Sequence, residues 1–155
     1  MREDLRDRLT KLLSEETLEK NVHYEINRAR RYRHPLTFLL IEPKVEENRD
    51  ALLYSILKKI AIFIQTNTRY VDTSVRMGRQ ILIILVETDR KGAQVVKDKL
   101  QSLLENKPFA IEEEAFPVSV KLLFALASYP HDGETIPALL KALHAQIDRQ
   151  LQSLG

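Results

Sequence analysis

A chain of 155 residues that is 44% hydrophobic and 30% charged has the make-up of one globular domain, which excludes wholesale disorder. With no cysteine it has no disulfide framework, no thiolate metal site and no cysteine nucleophile. A net charge of +2 does not point to a polyanion partner, and four scattered glycines exclude a Gly-rich phosphate cradle. The opening Met1-Arg2-Glu3-Asp4-Leu5-Arg6 lacks an apolar signal core, and the longest apolar runs, such as Ile81–Val86, are far too short to span a bilayer. A cytoplasmic protein is expected.

The elements follow in chain order. Leu5, Leu9, Leu12 and Leu13 recur at helical spacing and predict an opening helix to about residue 13. Ser14 stands as the cap of a second helix, with Glu15 and Glu16 at its positive end. That helix runs to about Tyr32, has Leu18, Val22, Ile26 and Ala29 on one face, and is ended by Pro35. Leu36–Glu42 reads as a buried strand. Leu53, Ile56, Leu57, Ile60, Ala61 and Ile64 fit the next helix. Strands over Tyr70–Arg76 and Ile81–Glu87, separated by Met77-Gly78-Arg79-Gln80, predict a hairpin. A helix over Lys91–Leu104 turns Val96, Leu100 and Leu103 inward. A strand over Val118–Ser128 ends in the turn Tyr129-Pro130-His131-Asp132-Gly133. Thr135 caps a last helix that has Pro137 in its first turn and lines its inner face with Ile136, Leu140, Leu143, Ile147 and Leu151. The order α-α-β-α-β-β-α-β-α contains a βαββαβ core. It predicts one α+β domain over 1–155, with a mixed central sheet flanked by helices and extra helices at both ends.

Several clusters read as ordinary surface. Arg28, Arg30, Arg31 and Arg33, with Tyr32 and His34, suit a helix C-terminus, where cations complement the dipole. His23, His34, His131 and His144 have no metal-ligand spacing, so no metal is expected from them. Glu112, Glu113 and Glu114 read as a solvated loop or edge, and Ser14, Ser55 and Ser119 lack a nucleophile elbow. An aromatic content of 6% without tryptophan gives no stacking platform, so nucleic acid is not an expected partner.

Asp7-Arg8-Leu9-Thr10, the arginine-rich Asn27–Arg31, Pro35–Glu42, Arg69–Gly78 and Ala127–Thr135, taken in that order, resemble the GGDEF domain of diguanylate cyclases. The resemblance covers nearly the whole chain. It implies the cyclase-palm fold, which agrees with the βαββαβ pattern, and it makes the opening segment 1–13 a helical join to an upstream domain. Such cyclases join two GTP molecules with metal ions held by acidic groups on the first strand and in the signature hairpin. Glu42 stands for the first-strand acid, but Lys44 occupies the position of the second. The signature reads Gly78-Arg79-Gln80-Ile81, and the spacing to Thr88 suggests a deletion. No carboxylate remains in it. Asn48 or Asp50 is a remnant of the guanine-reading pair, and the lysine of the last helix falls at about Leu151. The resemblance therefore implies a degenerate member with no catalytic residues, no metal and no cofactor.

The family's inhibitory Arg-x-x-Asp site for cyclic di-GMP maps onto Arg69-Tyr70-Val71-Asp72. There the arginine fork suits a phosphate or the Hoogsteen edge of guanine, and the aspartate accepts from guanine N1–H and N2–H. Lys99 is the expected second cation. Two functions are thus expected: a cyclic di-GMP receptor, or a dimerisation and protein-interaction module with no nucleotide. The second would act as a homodimer, or with a partner regulatory domain, through the helical N-terminus or the sheet edge.

Overall fold

The structure is a computed structural model, and it describes residues 6–46, 48–69, 71–105 and 120–154. A short 3-10 turn, Glu15–Thr17, precedes α1 (Leu18–Tyr32). Then come β1 (Leu36–Pro43), α2 (Asp50–Asn67), β2 (Thr73–Met77), β3 (Gln80–Val86), α3 (Arg90–Glu105), β4 (Leu122–Tyr129) and α4 (Ile136–Leu154). The sheet order is β2-β3-β1-β4. The βαββαβ core is as expected. The sheet, however, is antiparallel at every pairing rather than mixed. The α2 crossover carries the chain past the place that β3 then fills, so β1 meets β3 and β4 but never the parallel β2.

Both faces of the sheet are covered, which explains why β1 and β3 read as unbroken apolar runs. Leu39, Ile41, Ile83 and Leu126 face α2 and α3. Phe38, Leu40, Ile84 and Ala127 face α1 and α4. The α2 positions expected inward, Leu53, Ile56, Leu57, Ile60, Ala61 and Ile64, are all buried. In α3 the expectation for Leu103 fails. Leu104 is buried and Leu103 is exposed, since the helix meets β4, α2 and β1 one residue round from the periodicity's best fit.

Over the described residues 6–13 the expected opening helix is absent. Residues 6–13 form a turn and two isolated bridges, Arg6 with Leu13 and Leu13 with Val75. The Asp7 carboxylate accepts from the Thr10 amide and hydroxyl, both at 2.7 Å. Lys11 then takes a left-handed φ of 65°, which ends any helix. Leu12 reaches the core from this extended segment, so its spacing from Leu9 imitated a helix face. Ser14 precedes the 3-10 turn without capping it, and α1 starts after Thr17. At its other end α1 closes on Arg33, left-handed at φ 56°, two residues before Pro35. The Val118–Ser128 strand is displaced to Leu122–Tyr129. Residues 118 and 119, like Leu5, Tyr70 and Glu112–Glu114, lie outside the described residues.

Both outer edges of the sheet are occupied. On β2, Leu13 donates to the Ser74 carbonyl at 3.1 Å and accepts from the Arg76 amide at 2.9 Å. On β4, the outward amides of Leu122, Phe124, Leu126 and Ser128 donate to Glu105, Gln150, Gln146 and Asp132 side chains.

Candidate functional site

The hairpin turns in two residues, Gly78 and Arg79, because Met77 pairs directly with Gln80. Gly78 has φ 62° and Arg79 does not have a positive φ, the pattern of a II′ turn. This brings Gln80, at the start of β3, beside Glu42, near the end of β1. The Gln80 amide donates to Glu42 Oε1 at 2.7 Å, and its carbonyl oxygen lies 3.3 Å from His144 Nε2 on α4. Arg79 reaches the other way and donates to the Val45 carbonyl at 2.7 Å. Ile81, the fourth residue of the altered signature, is buried in the core between the sheet and α2. Lys44 is exposed and gives its amide to the Lys121 carbonyl.

The donors at this tip are one carboxylate, one neutral amide and an imidazole beyond the amide. Among the described residues no group of three or more His, Asp or Glu side chains is placed to hold a metal ion. A hard divalent cation wants several oxygen ligands, preferably anionic. The donor set here does not fit one.

The Arg69–Asp72 corner lies between the end of α2 and β2, at the far end of β3 from the hairpin turn. The Asp72 side chain is only 2% exposed and that of Arg69 is 54% exposed. Asp72 Oδ2 accepts from the Arg69 amide at 3.1 Å and from Nε at 3.2 Å. Oδ1 accepts from Arg69 Nη2 at 3.1 Å and from the Val86 amide at 3.3 Å. The same Nη2 donates to the Val86 carbonyl and, at 2.7 Å, to Thr88 Oγ1. The Arg-x-x-Asp pair is thus a staple between the α2–β2 corner and the end of β3. Sequence reasoning missed Val86 and Thr88 because only the sheet register brings them here.

A cleft of about 580 Å³ opens beside this corner, lined by Arg6, Leu13, Gln65, Thr68, Arg69 and Ser74 among others. The expected second cation is not among the residues that line this cleft. Lys99 is exposed on α3 and does not line this cleft, whereas Arg6 does. Arg6 came within reach because its segment runs along β2 instead of forming a helix.

Several of the remaining candidates have local partners. Arg28 pairs with Glu25 at 3.3 Å, and Arg30 donates to the Tyr129 hydroxyl at 3.1 Å. That bond holds the Arg30 guanidinium above its ordinary pKa. Burial raises the Glu25 carboxyl above its usual range, against the lowering pull of Arg28. His23 lies 3.8 Å from Glu19, and His34 lies 3.3 Å from Glu87. A cleft of about 690 Å³ between α1 and the start of α4, lined by Glu15, Glu19, His23, Arg30, Glu134 and Pro137 among others, touches neither the hairpin nor the Arg69 corner. No helix is long and apolar enough to cross a membrane among the described residues.

Comparison with known proteins gives these features a context. The family model described as "Diguanylate cyclase, GGDEF domain" matches residues 54–153. No curated protein sequence matches the chain. Among solved structures, it is similar to the GGDEF domain of YfiN (TpbB) from Pseudomonas aeruginosa, at 22% identity and a TM-score of 0.83, over 94% of this chain and 89% of that one. It is similar to the GGDEF domain of DgcB from Caulobacter crescentus in complex with c-di-GMP, at 9% identity and a TM-score of 0.85, over 99% and 90%. It is also similar to the diguanylate cyclase SiaD of Pseudomonas aeruginosa in complex with its activator SiaC, at 18% identity and a TM-score of 0.85, over 97% and 59%.

Proposed function

We propose, from the premise that this chain belongs to the GGDEF family of diguanylate cyclase domains, that it is a non-catalytic signalling domain that receives cyclic di-GMP at the Arg69–Asp72 corner. One observation carries the loss of catalysis: the Glu42–Gln80 hydrogen bond of 2.7 Å. Where condensation of two triphosphates needs a cage of carboxylates and metal ions, this chain has one carboxylate bound to a neutral amide. The α4 side chain beside Gln80 is His144.

The receptor reading rests on the arrangement of donors at Asp72. Its two oxygens accept four bonds, two of them from the Arg69 side chain. If Arg69 swings into the adjoining cleft, one acceptor site opens on each oxygen. Two such sites match the paired N1–H and N2–H donors of guanine. Arg69 is then free to meet a phosphate or the base, with Arg6 lining the same cleft. Cyclic di-GMP is the nucleotide to try, because DgcB, with the same fold, was solved with it.

A second reading is favoured by the near-complete burial of Asp72. On it the corner is only a staple, and the domain is an interaction module without a nucleotide. The neighbour SiaD, solved with its protein activator, makes such a partner reasonable.

Two measurements on the purified chain decide. Incubation with GTP and magnesium is expected to give no cyclic di-GMP, and its formation would overturn the loss of catalysis. Calorimetric titration with cyclic di-GMP is expected to give saturable heat that Arg69→Ala abolishes and Arg31→Ala does not. No heat at high ligand concentration, with the fold intact by circular dichroism, leaves the interaction module as the function.

A further inference from the structure

The β4 edge has a construction that neither catalysis nor nucleotide binding uses. In an antiparallel strand every second residue points its amide and carbonyl away from the neighbouring strand. On β4 these are Leu122, Phe124, Leu126 and Ser128, since the residues between them face β1. An edge strand with such groups free is a template for another strand. Here the groups are taken by side chains at matching intervals. Gln146 and Gln150, one helical turn apart on α4, face Leu126 and Phe124, two residues apart on β4. The Gln146 carboxamide accepts from the Leu126 amide at 3.0 Å and donates to the Leu126 carbonyl at 2.7 Å. The Gln150 carboxamide does the same at Phe124, at 3.3 and 2.6 Å. A carboxamide carries one acceptor and one donor side by side, as a peptide unit does, so each glutamine mimics one residue of a fifth strand. Glu105 closes the Leu122 end, and Asp132 closes the Ser128 end with both its carboxylate and its amide.

The geometry points to β4 as a sealed strand-docking edge, which Gln146 and Gln150 hold closed against β4 of a second copy of this chain. The occupant follows from symmetry. Two copies of one edge pair antiparallel about a two-fold axis without any other complementary surface. Centred on Ala125, that pairing sets Phe124 of each copy opposite Leu126 of the other. It makes four hydrogen bonds per dimer, where the glutamines of two separate copies make eight, four in each copy, so the glutamines favour the separate chains. The strand is also apolar on both faces, so nothing on it opposes sheet extension once the seal is off.

The test is the double variant Gln146→Ala/Gln150→Ala, because alanine keeps the helix and removes only the carboxamides. Sedimentation velocity over a concentration series is expected to show the variant shifting to twice the parent's mass as concentration rises. Amide hydrogen exchange at Phe124 and Leu126 is expected to be slow in the parent. In the dilute variant it should be about tenfold faster or more, slowing again where the dimer forms. A variant whose mass matches the parent's at every concentration overturns the proposal. If the variant does not fold, the parent decides alone: fast exchange at Phe124 and Leu126 means that the glutamines do not seal the edge. Neither result bears on nucleotide binding, so this inference and the receptor reading fail independently.

Discussion

At the scale of single residues, one aspartate shows how local bonding outweighs burial. Burial alone would raise the Asp7 carboxyl. The bonds from the Thr10 hydroxyl and amide, then the bond and charge of Arg76, outweigh it and bring the pKa below its ordinary 3.8. A lowered pKa means that the ionised form favours the fold. The contribution is complete above about pH 4, near the unfolded value, and is lost as pH falls through the lowered one. Asp7→Asn is therefore expected to cost about 1–2 kcal/mol in urea denaturation at neutral pH, the usual worth of charge-assisted bonds in a half-buried site. The difference from the parent should shrink as the titration is carried down through pH 4 to 2. A constant difference across that range would place the effect elsewhere. The sequence marked Asp7 only as part of a resemblance; its pairing with Arg76 at 2.9 Å needed the tertiary structure. Arg69 raises the same issue more sharply. Its loss leaves a carboxylate only 2% exposed with no charge partner. Arg69→Ala is expected to lower stability by about 2 kcal/mol, less than for a fully buried pair because the guanidinium is half exposed. Binding by that variant must therefore be measured below its unfolding transition.

At the scale of elements, two glycines of the turns make contrasting predictions. Gly78 sits at φ 62° with nothing within 4 Å of where a Cβ would be. Gly78→Ala meets only backbone strain and is expected to cost about 1 kcal/mol. Gly133, before α4, has the Ala138 Cβ at 2.9 Å and backbone atoms at 3.2 Å from the same point. Gly133→Ala must move the first turn of α4, where Thr135 caps the Ala138 amide at 3.2 Å, and is expected to cost more. Thermal melts of the two variants rank them, and a reversed order would refute the steric account. The elements themselves were largely legible. The interiors of α1 and α2, the hairpin and Thr135 each have a period or a turn residue with one dominant reading. The helix expectation failed over residues 6–13 because leucines at helical spacing also suit a turn followed by an extended segment. The Asp7–Thr10 bonds that select the turn are not visible in periodicity.

For the whole molecule, the sheet has a core on each face, one under α2 and α3 and one under α1 and α4. Neighbouring residues of the same strands supply both, so the two faces are expected to unfold together. Ile60→Ala on one face and Leu143→Ala on the other each remove a fully buried side chain and are expected to cost about 3 kcal/mol. Each should shift one common transition, seen alike by far-ultraviolet circular dichroism and tyrosine fluorescence. Two separate transitions in either variant would mean that the layers are independent. Closure of both sheet edges belongs to this scale as well. The sheet-edge route to self-association, one expectation for this chain, meets Leu13 on β2 and the glutamine pair on β4.

The sequence by itself determined the βαββαβ order, the family, and the absence of carboxylates from the hairpin, because each is written in contiguous residues. It also offered Arg69 and Asp72 as a site. Only the tertiary structure decided that Asp72 is held by Val86 and Arg69, that Arg6 rather than Lys99 lines their cleft, and that α4 glutamines close β4. Apart from the Arg69–Asp72 pair itself, those contacts join residues at least 14 positions apart, and no local pattern specifies them. They exist because an antiparallel sheet covered on both faces fixes strand register, and register decides which distant side chains meet.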